Sequence, residues 1–98
     1  MYKNLDPLLH SPLRLAIVSH LMTHTKSSFK ELKQNTSASA GNISVQLKKL
    51  EEANYLRIEK SFLDNYPLTQ VSLTKKGIKA FEAYVEALKN ILFKNLLL

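Results

Sequence analysis

Between Ser39 and Glu52 the chain sets small, hydrogen-bonding and cationic groups at helical spacing: Gly41, Asn42, Lys48 and Lys49, with Val45 among them and Ser44 and Gln46 at the borders. Ile43, Leu47 and Leu50 fall at i, i+4 and i+7, so the polar set occupies the other face of an amphipathic helix expected over 39–53. An asparagine such as Asn42 can pair bidentately with adenine, and Ser44 or Gln46 can donate or accept at a base edge or a phosphate. Lysines neutralise phosphates and supply sequence-independent affinity. Val45 is poorly placed against water but gains contact against a thymine methyl. This composition suits the edges and phosphates of DNA. The plainer alternative is the solvated face of an ordinary helix.

Other chemistries find little support. There is no nucleophile–base motif, Gly-rich phosphate loop or paired carboxylate set, and no catalytic residue, metal or cofactor is expected. Ser27, Ser28, Asp6 and Asp64 stand in capping or turn contexts, where short polar side chains bond the backbone. His20 and His24 are spaced i, i+4 and could share a metal, but no Asp, Glu or Cys stands near them in sequence; surface or seam histidines are the simpler reading. Tyr55 and Tyr84 lie beside apolar stripes and read as structural.

The 98 residues allow one domain with a modest core, and a hydrophobic fraction of 45% is that of a globular chain. Without cysteines there is neither a disulfide nor a thiolate metal site, which fits a reducing cytoplasm. No apolar run is long enough to span a bilayer, and the start lacks the basic-then-apolar order of a signal peptide, so no membrane association is expected. The net charge of +6 favours a polyanionic partner. The excess concentrates in the middle: residues 26–76 carry nine lysines and arginines against five acids.

The elements that would position these residues follow in order. Residues 1–11, interrupted by Pro7, read as an arm. Ser11-Pro12 starts a first helix over 12–24, Ser at the cap and Pro at the first helical position. It buries Leu13, Ile17 and Leu21, with Ala16 and Val18. Ser28-Phe29-Lys30-Glu31 has capping-box form and opens a short helix over 28–34, with Phe29 and Leu32 inward. A polar turn, Asn35-Thr36-Ser37-Ala38, leads to the 39–53 helix, capped by Ser39. Two helices so joined outline a helix-turn-helix. From Leu56 to Leu73 the period becomes alternating around Leu63-Asp64-Asn65-Tyr66-Pro67, the mark of a projecting β-hairpin. Leu56, Ile58, Lys60 and Phe62 share one side of it.

Thr74 caps a last helix over 74–96. Ile78, Phe81, Val85, Leu88 and Leu92 step by three and four, and Tyr84 and Ile91 widen the stripe. So broad an apolar face exceeds what a small core can cover, which implies a partner helix, most simply the same helix of a second copy.

This order resembles the small bacterial and archaeal winged helix-turn-helix transcriptional regulators related to the MarR and ArsR groups. The matching residues are Leu5-Asp6-Pro7, Ser11-Pro12-Leu13-Arg14-Leu15, Phe29-Lys30-Glu31-Leu32, Gly41-Asn42-Ile43-Ser44 and Leu47-Lys48-Lys49-Leu50-Glu51. Lys60-Ser61-Phe62, Leu73-Thr74, Gly77 and Ala80-Phe81-Glu82-Ala83-Tyr84 complete the set. The resemblance implies a dimeric regulator whose third helix enters the major groove. Relatives often carry a basic or imidazole group where this chain has Val45 and Gln46, and arginines in the wing, where Asp64-Asn65-Tyr66-Pro67-Leu68 has none.

The expectation is a mainly α protein with a small β-hairpin, a winged helix-turn-helix with a long C-terminal dimerisation helix. It would act as a cytoplasmic homodimer on double-stranded DNA, with no small-molecule effector evident. Ser39, Gly41, Asn42, Ser44, Val45, Gln46, Lys48, Lys49, Lys30, Lys33 and Lys60 would meet DNA. Leu13, Ile17, Ile78, Phe81, Tyr84, Val85, Leu88, Ile91 and Leu92 would form the dimer seam. The competing class is a winged-helix protein-interaction module that reads no bases.

Overall fold

The computed structural model describes residues 5–96. Its order is α1 (Pro12–Thr23), β1 (Ser27–Ser28), α2 (Phe29–Thr36), α3 (Ala40–Glu52), β2 (Leu56–Leu63), β3 (Tyr66–Leu73) and α4 (Lys75–Leu96). The strands form one antiparallel sheet in the order β1-β3-β2. Fully buried Leu9, Ile17, Val18, Leu32, Ile43, Leu50 and Val71 draw the N-terminal turn, three helices and the sheet around one core.

Several caps follow the local sequence. Ser28 Oγ accepts from the Glu31 amide at 3.0 Å while the Glu31 carboxylate accepts from the Ser28 amide, a complete capping box. Ser39 Oγ accepts from the Asn42 amide at 3.2 Å, and Thr74 Oγ1 from the Gly77 amide at 3.0 Å. Ser11 does not behave as expected: it stands at the N-cap, but its side chain makes no capping bond. Pro12, with its preset φ and missing N–H, starts α1 instead. Ala16, expected inside, is exposed.

α3 ends in a Schellman motif. The Tyr55 amide donates to the Leu50 carbonyl and the Asn54 amide to that of Glu51, with Asn54 left-handed at φ 63°. The wing closes through a two-residue turn in which Asp64 and Asn65 have φ of 51° and 68°, a backbone twist that suits a tight hairpin. Its register pairs Leu56 with Leu73, Ile58 with Val71 and Lys60 with Thr69. β1 was not expected: Ser27 pairs with Val71 and Ser28 with Gln70, and two serines carry no alternation to betray a strand.

Residues 5–11, read from the sequence as part of an arm, form a packed turn. Residues 1–4 of that arm lie outside the described residues. Leu5 and Leu9 are buried. The Asp6 carboxylate accepts from the Leu8 amide at 2.9 Å, and the Asp6 carbonyl accepts from the Leu9 and His10 amides. His10 Nδ1 hydrogen-bonds the Tyr84 hydroxyl at 2.9 Å, and the Tyr55 hydroxyl donates to Asp6 Oδ2. The Tyr55 carbonyl accepts from the Thr74 amide at 3.1 Å, and Lys76 Nζ stands 5.7 Å from the centre of the Tyr55 ring. Tyr55 thus joins the N-terminal turn, the end of α3 and the start of α4.

The two glycines have opposite surroundings. A Cβ at Gly77 would fall 2.0 Å from the Tyr55 carbonyl oxygen and 2.9 Å from its carbon, whereas a Cβ at Gly41 would meet nothing within 4 Å. Gly77→Ala should therefore cost stability toward the upper end of the roughly 1–3 kcal/mol of overpacking, since the opposing atoms are backbone. Gly41→Ala should add about 0.5 kcal/mol through helix propensity. Urea melts of both variants check this, and a loss at Gly41 would show that the glycine relieves crowding.

Burial, and then the hydrogen bond and charge of Asp6, push the Tyr55 phenol from 10.0 up to about 12. A raised phenol pKa favours the neutral form in the folded state, so this contribution is intact below about pH 10 and lost as pH rises towards 12. Tyr55→Phe should cost about 1 kcal/mol at neutral pH, for one hydrogen bond. The gap between the two proteins should close between about pH 10 and 12 in urea melts; a constant gap would contradict the assignment.

Candidate nucleic-acid interface

α3 packs Ile43, Leu47 and Leu50 into the core and turns the remaining positions outward. Ser39, Gly41, Asn42, Ser44, Lys48 and Lys49 are exposed, and Val45 is 51% exposed in their midst. The Ser39 cap leaves the first turn of α3 at the surface, where Asn42 holds the third helical position.

Lys60 and Lys48 line the same cleft between the wing and α3, with Ser44, Glu51 and Thr69 also in its walls. The register that sets Lys60 opposite Thr69, on the Leu56–Ile58 side of β2, aims it toward that helix. Lys30 and Lys33 of α2 share a second hollow with Gln34, Ser37 and Ala38 at the turn into α3. The structure thus groups four of the five expected lysines in two pairs flanking α3. Lys49 lines neither hollow. Among the described residues the ion pairs are Lys26–Glu59 and Lys89–Glu86, so none of these five lysines is in a direct ion pair, although Glu51 shares the cleft of Lys48 and Lys60.

Gln46 departs from the expected arrangement. It is half-buried, and both ends of its amide have partners: Oε1 accepts from Arg14 Nη1 at 2.6 Å, and Nε2 donates to Asn42 Oδ1 at 2.9 Å. The helical wheel puts Gln46 at the border of the polar face but says nothing about Arg14, 32 residues earlier. Arg14 was not foreseen at this site.

The wing tip carries apolar side chains. Phe62, Leu63 and Tyr66 are all exposed. His20 and His24, weighed as metal ligands, stack with ring centroids 4.0 Å apart. His24 Nδ1 donates to the His20 carbonyl, and His20 Nε2 shares a 3.0 Å hydrogen bond with Ser27 Oγ.

The expected seam on α4 divides into two faces. Tyr84, 3% exposed, is in the core, and Ala80, Phe81, Ala87, Leu88 and Ile91 pack against it. Ile78, Val85 and Leu92, spaced by seven, point outward with exposures of 37%, 37% and 49%, joined by Phe93. Ile17 is 0% exposed within a single copy. Ile17 and Tyr84 are therefore core residues, unavailable to a partner. Leu13 is half-buried against the core. No helix among the described residues is long and apolar enough to cross a membrane.

A family model described as a winged helix DNA-binding domain matches residues 13–92. An uncharacterised protein of Methanocaldococcus jannaschii is 31% identical over 78 residues, which span 80% of this chain and 85% of that protein. The transcriptional regulator homologue protein from Pyrococcus horikoshii OT3 has a similar structure, with TM-score 0.84 and 24% identity over 89% of this chain and 86% of that one. PadR of Bacillus subtilis, solved in complex with operator DNA, has TM-score 0.68 and 17% identity over 76% of this chain and 48% of that one. The structural likenesses show the fold. With four helices, a three-stranded sheet and a hairpin wing matched over most of its length, the chain belongs to the winged-helix DNA-binding domain family.

Proposed function

We propose that this chain is a cytoplasmic, homodimeric, sequence-specific DNA-binding transcriptional regulator that reads the major groove with α3. The observation that carries this reading is the exposed α3 face, with Asn42, Ser44 and Val45 beside two pairs of lysines that make no direct ion pair. Asn42 and Ser44 supply hydrogen bonds to base edges, and Val45 supplies apolar contact to a thymine methyl. Lys30, Lys33, Lys48, Lys49 and Lys60 hold phosphates and fix the register. Support comes from the fold shared with PadR, whose structure contains operator DNA.

Two copies would pair through the outward residues Ile78, Val85 and Leu92, whose spacing by seven suits a helix–helix seam. Pairing would present two α3 helices to half-sites about one duplex turn, ~34 Å, apart. With no arginine at the wing tip, Asp64 to Leu68, α3 carries most of the base reading.

The exposed Phe62, Leu63 and Tyr66 favour one competitor, a module that docks protein and reads no bases. Binding to a duplex across a salt series separates the two. The wild-type protein should show strongly salt-dependent binding, and Lys48→Ala/Lys49→Ala should weaken it and lower the salt slope by about 1.8, near 0.9 for each lost phosphate contact. An unchanged affinity and slope would remove α3 as the reading element, and salt-independent retention would favour docking. Sedimentation of the free protein tests the seam, and a monomer at the concentrations that bind DNA would refute it.

A further inference from the structure

We infer that Arg14 is a positioning residue for base recognition, acting through Gln46 on Asn42; the inference rests on the proposal that α3 reads DNA. Arg14 stands in the first turn of α1. Its Nε donates to the Leu8 carbonyl at 2.5 Å and its Nη1 to Gln46 Oε1 at 2.6 Å. A guanidinium only donates, so it fixes which end of the Gln46 amide faces it, and that end must be the oxygen. The Gln46 NH₂ is thereby directed away from Arg14 and reaches Asn42 Oδ1 at 2.9 Å. Asn42 is exposed and has its oxygen held by this donor, so its amide is oriented with Nδ2 free.

A free Asn42 would rotate between presenting its oxygen and presenting its NH₂. Held by the relay, it offers the donor to an acceptor edge, as in a purine N7, and keeps one Oδ1 lone pair for an exocyclic amine beside it. That is the pattern of adenine in the major groove. Gln46, with both ends of its amide engaged, transmits orientation and does not read a base. The anchoring carbonyl of Leu8 belongs to the turn that Asp6 fixes through the Leu8 amide, so Arg14 is held at both ends.

The test is selection of duplexes from a random library by the full-length protein, followed by titration of the selected duplex and its single-base variants. Wild type should show a base preference at the Asn42-contacted pair. Arg14→Met and Gln46→Ala should each relax that preference by about tenfold, the discrimination of one good base contact. Preferences elsewhere and the salt slope should stay unchanged, and the double variant should be no worse than either single one. Thermal melts establish that the variants are folded, and Gln46→Ala, a good helix former in α3, carries the test if Arg14→Met is not.

A salt slope reduced by about 0.9 in Arg14→Met would make Arg14 a phosphate contact and overturn the inference. A uniform loss at every base would make its role merely structural. A change in Gln46→Ala at a different base pair would make Gln46 a reader in its own right. If the wild type selects no sequence at all, the base-reading proposal fails first and takes the inference with it, an outcome distinct from the other three.

Discussion

α4 approaches the Tyr55 carbonyl so closely that there is no room for a Cβ at position 77. This approach brings the start of α4 against the Schellman turn that ends α3, and Thr74 bonds both sides of the contact: its amide and hydroxyl donate to the Tyr55 and Asn54 carbonyls, and its Oγ1 accepts from the Gly77 amide. From the same residue the phenol reaches Asp6, the Asp6 turn presents the Leu8 carbonyl, and that carbonyl holds Arg14. A run of hydrogen bonds therefore leads from the C-terminal end of α3 through the N-terminal turn and back to its first turns at Asn42. Rigidity at a recognition surface requires that each side chain have few rotamers to choose from. Here the restriction reaches the surface from two sides of one helix.

The same joint explains why residues 5–11 matter to a surface they do not form. Leu5 and Leu9 are buried in the core, and His10 meets the Tyr84 hydroxyl. The segment thus sets both α1, which carries Arg14, and α4, whose outer face is the proposed seam. The lysines that would meet phosphates need no such fixing. Four of them, Lys30, Lys33, Lys48 and Lys60, line two hollows at the ends of flexible stems, and a point charge tolerates imprecise placement.

What could be read from the sequence was local or periodic. Ser28 with Glu31, Ser39 and Thr74 act within three residues of themselves, and each caps its helix as the sequence suggests. The Ile43–Leu47–Leu50 stripe and the hairpin alternation repeat at the period of their own element. What could not be read depended on distant partners. β1 exists because β3 offers it an edge, and Pro7 hides the packing of Leu5 and Leu9 by interrupting any period. A helical wheel shows that α4 is broadly apolar but not which half meets its own core, so Tyr84 and Val85 look alike until the fold separates them. The partner of Gln46, Arg14, lies 32 residues earlier and leaves no mark on the wheel. Asn54 did leave a signal, since Asn after an amphipathic helix is a common left-handed C-terminal residue.

The division of α4 into an inner and an outer face has a thermodynamic meaning. Tyr84 and its neighbours complete the core of one copy, while Ile78, Val85 and Leu92 contribute little to it. If two copies pair, folding and pairing would be separate equilibria, since the buried core lies within a single copy. Association through the outer face would be second order in protein, and a bivalent ligand would gain its second contact only after that step. Occupancy at low abundance would rise with the square of protein concentration, so that doubling the amount of chain would do more than double its effect.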